Sequence, residues 1–445
     1  MGLLIGVGNT KPTFPYDYYY GIEWDYNVAS PACTRIGRPE LHVSLPIQSK
    51  MRRCVLRDDG TVAYYLHAND STKRDTGVAA NLDGTDGQVM VEIPEHYRKF
   101  EVDGTKSRCL LSEYALPGFH LVPLAYRSAY EAALDRTEPT TPKLASVVNT
   151  TAAFRGGSGN NSNLDETNRS LLGRPTSYIE PDKFRLYARN RGNAGKNGAG
   201  WNCDVYEVQK TCWWLYAVEY ANFNCQLDYN AQPTSEGYKQ GGLGKGVSML
   251  GGYKWNTYNG FMPFVPCGHT NSLGNKTGVV DYNMLNSDGS TYYTVSVPSY
   301  RGLENPFGHI WSFTDGCKCS MQRVEAGPLI ELFVCTDPAK FQSDNYDGYE
   351  KRGNLSIGTG YIKAILVGQY GENMPLENLG ASSTTYFCDY FDRGNPPSTG
   401  EKQENITFGG SASNELGCGF CCVDVGRFNS TDDYKIGTRL CFLPA

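Results

Sequence analysis

Residues 301–316 read RGLENPFGHIWSFTDG, and the pattern of this run decides how the rest of the chain is organised. Arg301-Gly302 and Asn305-Pro306 punctuate the backbone. His309, Trp311 and Phe313 then alternate with Ile310, Ser312 and Thr314, the period of two that marks a strand. Asp315-Gly316 supplies a turn signal, so the strand is expected to close there. A Trp with His and Phe on the same strand face buries much area for few rotatable bonds, which makes this run a core layer before it is anything chemical.

Working outward, 445 residues exceed what one simple core holds, so two domains or one domain with large insertions are expected. Hydrophobic residues at 40% are enough for a packed interior. Charged residues at 20% with a net charge of −6 argue against disorder and against the dominant basic field of a nucleic-acid binder. Gly at 50 and Tyr at 31 residues give a loop-rich composition of the kind used in adaptable recognition surfaces. The first ten residues, MGLLIGVGNT, have too short an apolar run and no basic region for a signal peptide, and no later stretch approaches the ~20 apolar residues of a membrane span. A soluble chain made in the cytosol is expected, without membrane insertion. The 15 Cys are then expected to be reduced and to serve as small apolar residues. Neither Cys317-Lys-Cys319 nor the group Cys418, Cys421, Cys422 has the paired spacing of a zinc site.

Residues 1–125 read as mostly β. Asp58-Asp59-Gly60 joins two apolar runs between Cys54 and Leu66 as a hairpin, and Asp103-Gly104 marks another turn after Arg98–Val102. A short helix is expected from Pro181 to Arg191, with Phe184, Tyr187 and Ala188 on one face. The best helix runs from Asp204, its expected cap, to Asn224, with Trp213, Trp214 and Tyr216 as packing residues. Short strands and loops follow to the end. Few helices among many strands give an α+β class.

Gly241–Val247, GGLGKGV, lacks the Ser or Thr that a phosphate loop places after Gly-Lys, and Gly6-Val7-Gly8 lacks the third glycine of a dinucleotide fingerprint. The six His are too far apart in sequence to make a helix-borne metal pair. Enzyme chemistry has no residue-level support, and no cofactor is expected. The segment from Phe408 to Phe442 differs in kind: a Gly-Gly start, a mixed middle without a hydrophobic period, and an apolar exit strand. It reads either as a surface loop or as a binding surface held by its flanks.

Together, ENPFGHIW at 304–311 and IGTRLCF at 436–442 resemble the C-type lectin fold as used by the variable proteins of diversity-generating retroelements, in particular the tropism-determinant adhesins of phages and prophages of gut Bacteroidales. The resemblance implies a C-type-lectin-like domain, related to formylglycine-generating enzymes, over residues 126–445, preceded by a β-rich attachment region at 1–125. It implies a homo-oligomeric receptor-binding protein of the virion, or alternatively of the bacterial cell surface, contacting other tail proteins and a host cell-surface glycan or protein. By position, the implied ligand-binding residues are Asn414, Glu415, Leu416, Cys418, Phe420, Cys421, Cys422, Asp424, Arg427, Phe428, Asp432 and Tyr434. Two other readings stand beside it. One is a structural virion decoration; the other is a copper-dependent enzyme, suggested by Gly409-Gly410-Ser411 followed by Cys418 and Cys421/Cys422, although the Cys spacing departs from the enzyme's.

Overall fold

The strand expected from residue 309 forms, and it runs well past its turn signal. In the structure, a computed structural model describing residues 16–157, 162–192, 200–250, 254–259, 263–427 and 433–444, it spans Trp311–Val324. Trp311 and Phe313 enter a cluster with Phe184, Trp201 and Phe442, whereas Ile310 joins another with Trp255 and Phe264. Alternation therefore places neighbouring residues in two different cores. Asp315-Gly316 is a bulge and not an end: Gly316 has φ of 83°, and the register against Glu401–Phe408 shifts between Thr314 and Lys318. Tertiary bonding holds the bulge in place. The Asp315 amide donates to the Asp204 carbonyl at 2.7 Å, and its carboxylate accepts from Arg185 Nε at 2.6 Å and Nη2 at 3.0 Å.

The fold is mainly β with a few helices, in keeping with the α+β class. Among the described residues the central strand lies in an eight-stranded sheet, with Gly327–Val334 on one side and Glu401–Phe408 on the other. The expected hairpins form, with Cys54 opposite Tyr65 and Asp103 opposite Lys106. Residue 125 is not a boundary between separate cores. Ala125–Ser128 lies between Gln88–Ile93 and the C-terminal strand Leu440–Leu443, in a seven-stranded sheet that also holds Arg52–Leu56 and Gly200–Cys203. Tyr20 and Trp24 share one apolar cluster with Trp213, Trp214 and Phe420. An apolar strand such as 440–443 needs hydrogen-bonding neighbours on both edges, and it finds one of them beside the N-terminal strands.

The long helix is Tyr206–Tyr220, with every residue but Glu207 buried. A helix apolar on one stripe alone would lie on a surface; this one carries Trp213, Trp214 and Tyr216 around its girth and fills the centre. Asp204 does not cap it, since the residue before the first turn is Val205 and no side chain caps the end. The Asp204 carboxylate is engaged elsewhere, accepting from Arg127 Nε at 2.9 Å, Arg127 Nη2 at 2.6 Å and Ser312 Oγ at 3.0 Å. The shorter helix, Pro181–Arg189, follows its expected span, with Phe184 and Ala188 buried. All 15 Cys are free thiols, and all except Cys33 are buried. Among the described residues, no helix is long and apolar enough to cross a membrane.

Breaking a fully buried ion pair by removing one partner strands a charge. Arg127→Met is expected to cost about 3–5 kcal/mol in urea unfolding, and Asp204→Asn added to it is expected to recover part of that loss. Trp311→Ala is expected to cost about 3–5 kcal/mol through cavity formation.

Candidate functional site

The segment that follows Glu401–Phe408 leaves the sheet through Gly409 and Gly410, whose φ values of 96° and 77° suit glycine. A side chain at 410 would lie 2.8 Å from Cys418 Sγ. The Gly-Gly start is therefore a close approach of two backbones. The Gly409 amide donates to the Cys422 carbonyl at 2.9 Å, and the Ala412 amide to the His309 carbonyl at 3.1 Å. The Asn414 side-chain oxygen then accepts from the Ser411 amide at 3.0 Å and the Ser411 hydroxyl at 2.9 Å. A short 3₁₀ turn at Glu415–Gly417 follows. Gln226 Nε2 donates to the Cys418 carbonyl and, at 3.4 Å, to that of Leu416.

Beyond the turn the chain goes inside. Phe420 packs among Tyr216, Tyr300 and Phe307, with ring centroids 5.6–6.0 Å away, and Gln209 Nε2 donates to its carbonyl at 2.8 Å. Asp389 accepts from the Cys421 amide at 2.6 Å. Val423–Arg427 then pairs with Tyr390–Asp392 and with Glu401–Phe408, and Asp424 accepts from the Gly426 amide at 2.8 Å.

This geometry divides the residues assigned to ligand binding. Cys418, Phe420, Cys421, Cys422 and Asp424 are buried and present no side chain to a partner, which corrects the reading of the tract as one continuous surface. The reason is that its core contacts come from one chain crossing several layers, so they leave no period in the sequence. Glu415 and Leu416 are exposed, Leu416 by 47%. Asn414 is half-buried, and so is Tyr434, whose ring lies 5.7 Å from that of Trp255. Phe428 and Asp432 lie outside the described residues, as does the Arg427 side chain.

Tyr390 is a neighbour the sequence reading missed. It lies against Gly417, and its ring packs edge-on to Tyr361 at 5.3 Å. Both tyrosines are half-exposed. The excess of Tyr was the available signal, but nothing local tied these two to the Glu415–Gly417 turn. No protein-family model matches the sequence, and no curated protein gives a significant match.

The thiols beneath the turn have separate partners. Cys418 Sγ donates to the Ser411 carbonyl at 3.1 Å and Cys421 Sγ to the Asn373 carbonyl at 3.1 Å. Burial first, and the nearby Asp389 after it, push both thiols up, away from the thiolate that a soft metal would take. Among the described residues no group of three or more His, Cys, Asp or Glu is placed to hold a metal ion.

Asp389 is the clamp under the turn. Burial raises its carboxyl well above the usual carboxylate range, opposed by the amides of Cys421 and Cys422. A folded value above the unfolded one means that the contribution of Asp389 is present at low pH and is lost as pH rises through the folded value. Asp389→Asn keeps the acceptor and cannot ionise. Relative to the parent, its stability is expected to move in the variant's favour as pH rises above the ordinary carboxylate value of about 4, read from urea midpoints. Gly419→Ala would set a Cβ 1.9 Å from Asp389 Oδ1; a loss of about 1–3 kcal/mol is expected in the same assay.

Proposed function

We propose that the protein is a receptor-binding adhesin of a phage or prophage, built on a C-type-lectin-like domain that holds a host cell-surface glycan or protein noncovalently. The contact is made at the turn Asn414–Leu416, flanked by Tyr390 and Tyr361, with the half-buried Tyr434 as a further aromatic. The observation that carries this reading is the contrast within residues 411–421: exposed Glu415 and Leu416 stand on a backbone whose buried neighbours Cys418 and Cys421 are hydrogen-bonded to Ser411, Asn373 and Asp389.

Such a frame lowers the entropic cost of binding, because the turn is ordered before a partner arrives. Glu415 has φ of 49°, a conformation that non-glycine residues seldom adopt. Strain of this kind persists where the surroundings over-determine it, and it gathers at recognition sites. Tyr beside an exposed Leu and a carboxylate offers both apolar area and polar contacts to a sugar or a protein. Single sites of modest affinity gain avidity from copies on a particle, which suits a homo-oligomer carried on a virion through its N-terminal strands.

Three measurements test this. Glu415→Ala with Leu416→Ala is expected to lower adsorption to host cells at least tenfold, with a melting temperature within about 2 °C of the parent. A large fall in melting temperature would show those side chains to be structural. Phe420→Ala is expected to do the reverse, costing about 3–5 kcal/mol in stability. In sibling isolates, a reverse-transcriptase gene and a template repeat matching residues 408–442 are expected nearby, with substitutions gathered at the exposed positions.

A further inference from the structure

A cavity of about 670 Å³ lies away from the turn, between the strands around Ile93, Arg98 and Ala125, the first half of the helix Tyr206–Tyr220, and the segment from Val334 to Arg352. Its size falls in the range of small-molecule sites, ~300–1,000 Å³. Ile93, Val205, Val208 and Phe341 give it apolar walls.

The charges in those walls are paired, with one exception. Glu207 meets Lys210 at 2.8 Å, Asp337 meets Lys340 at 3.7 Å, and Glu350 meets Arg352 at 3.2 Å. Arg98 also lines the cavity and is 6% exposed, yet among the described residues no carboxylate is within ion-pair distance of it. Its hydrogen bond is a long one, Nη1 to Thr211 Oγ1 at 3.4 Å, and its guanidinium lies 5.2 Å from the Phe100 ring. A guanidinium has five N–H donors, so most of its capacity is unspent. Burial pulls its pKa down, opposed by the charges of Glu207 and Glu372, neither of which is within ion-pair distance.

We propose that this cavity is a binding site for a small monocarboxylate with an apolar body, whose carboxylate is gripped by Arg98 and whose body lies against Val205, Val208 and Phe341. The planar fork of arginine matches a carboxylate with two parallel hydrogen bonds. One guanidinium with no carboxylate within ion-pair distance suits a monoanion better than a phosphate dianion. The site shares no residue with the Asn414–Leu416 turn, so it stands or falls independently of the adhesin reading.

The test is isothermal titration of the full chain with hexanoate, benzoate, 2-naphthoate and D-glucuronate, each beside its neutral amide, and with inorganic phosphate. At least one carboxylate is expected to bind, with its amide at least tenfold weaker and phosphate weaker than the carboxylate. Arg98→Gln is expected to weaken that binding at least tenfold. Val208→Trp keeps Arg98 and fills the cavity, and it is expected to abolish binding, which keeps the test decisive if Arg98→Gln fails to fold. The proposal is overturned if none of the four acids binds, if amide and acid bind equally, if phosphate binds as tightly, or if the folded variants bind like the parent.

Discussion

The bidentate pair between Arg127 and Asp204 joins four parts of the chain at one point. Arg127 sits on the strand next to the C-terminal strand, and Asp204 stands at the head of the central helix. Ser312 of the long strand donates to the same carboxylate, and the Asp204 amide donates to Thr438 Oγ1 at 3.2 Å. Neither charged side chain has appreciable contact with solvent. Desolvating both ions is expensive, and their attraction repays it only with good geometry and satisfied neighbours. The arrangement therefore specifies which strands and which helix meet.

Other buried cations extend the same principle. Arg439 reaches the carbonyls of Ser128, Glu304 and Asn305 at 2.5–3.1 Å, tying the C-terminal strand to the loop ahead of Trp311. Arg53 donates to Gly302, Asn271 and Thr270, tying the strand Arg52–Leu56 to that loop as well. With these ties in place the Glu415–Gly417 turn stands on a fixed base, and its backbone has little freedom left to lose on binding. Arg98 stands apart from them: among the described residues its acceptor is Thr211 Oγ1 at 3.4 Å.

Much of the local structure was legible in the sequence. Alternation found the strand that carries Trp311 and Phe313, Asp-Gly pairs found two hairpins, and Pro181 found the start of the shorter helix. Each of these signals rests on contacts between residues close in sequence. Two readings failed for the opposite reason. Asp315-Gly316 reads as a turn until Arg185 claims the carboxylate, and Asp204 reads as a cap until Arg127 does. At the candidate site, Glu415 and Leu416 were legible as surface residues, but Phe420 and the three thiols beside them were not legible as core.

The sequence by itself determined the β-rich class and the central apolar helix, since these follow from periodicity and residue type. Only the tertiary structure decided that residues 20–125 share a core with the C-terminal strand, that the mixed tract lies mostly inside, and that Tyr390 flanks its exposed turn. Those outcomes depend on hydrogen bonds and ion pairs between residues far apart in sequence, such as Arg127 with Asp204 and Asp204 with Ser312. No local pattern encodes which distant partner a buried charge will meet.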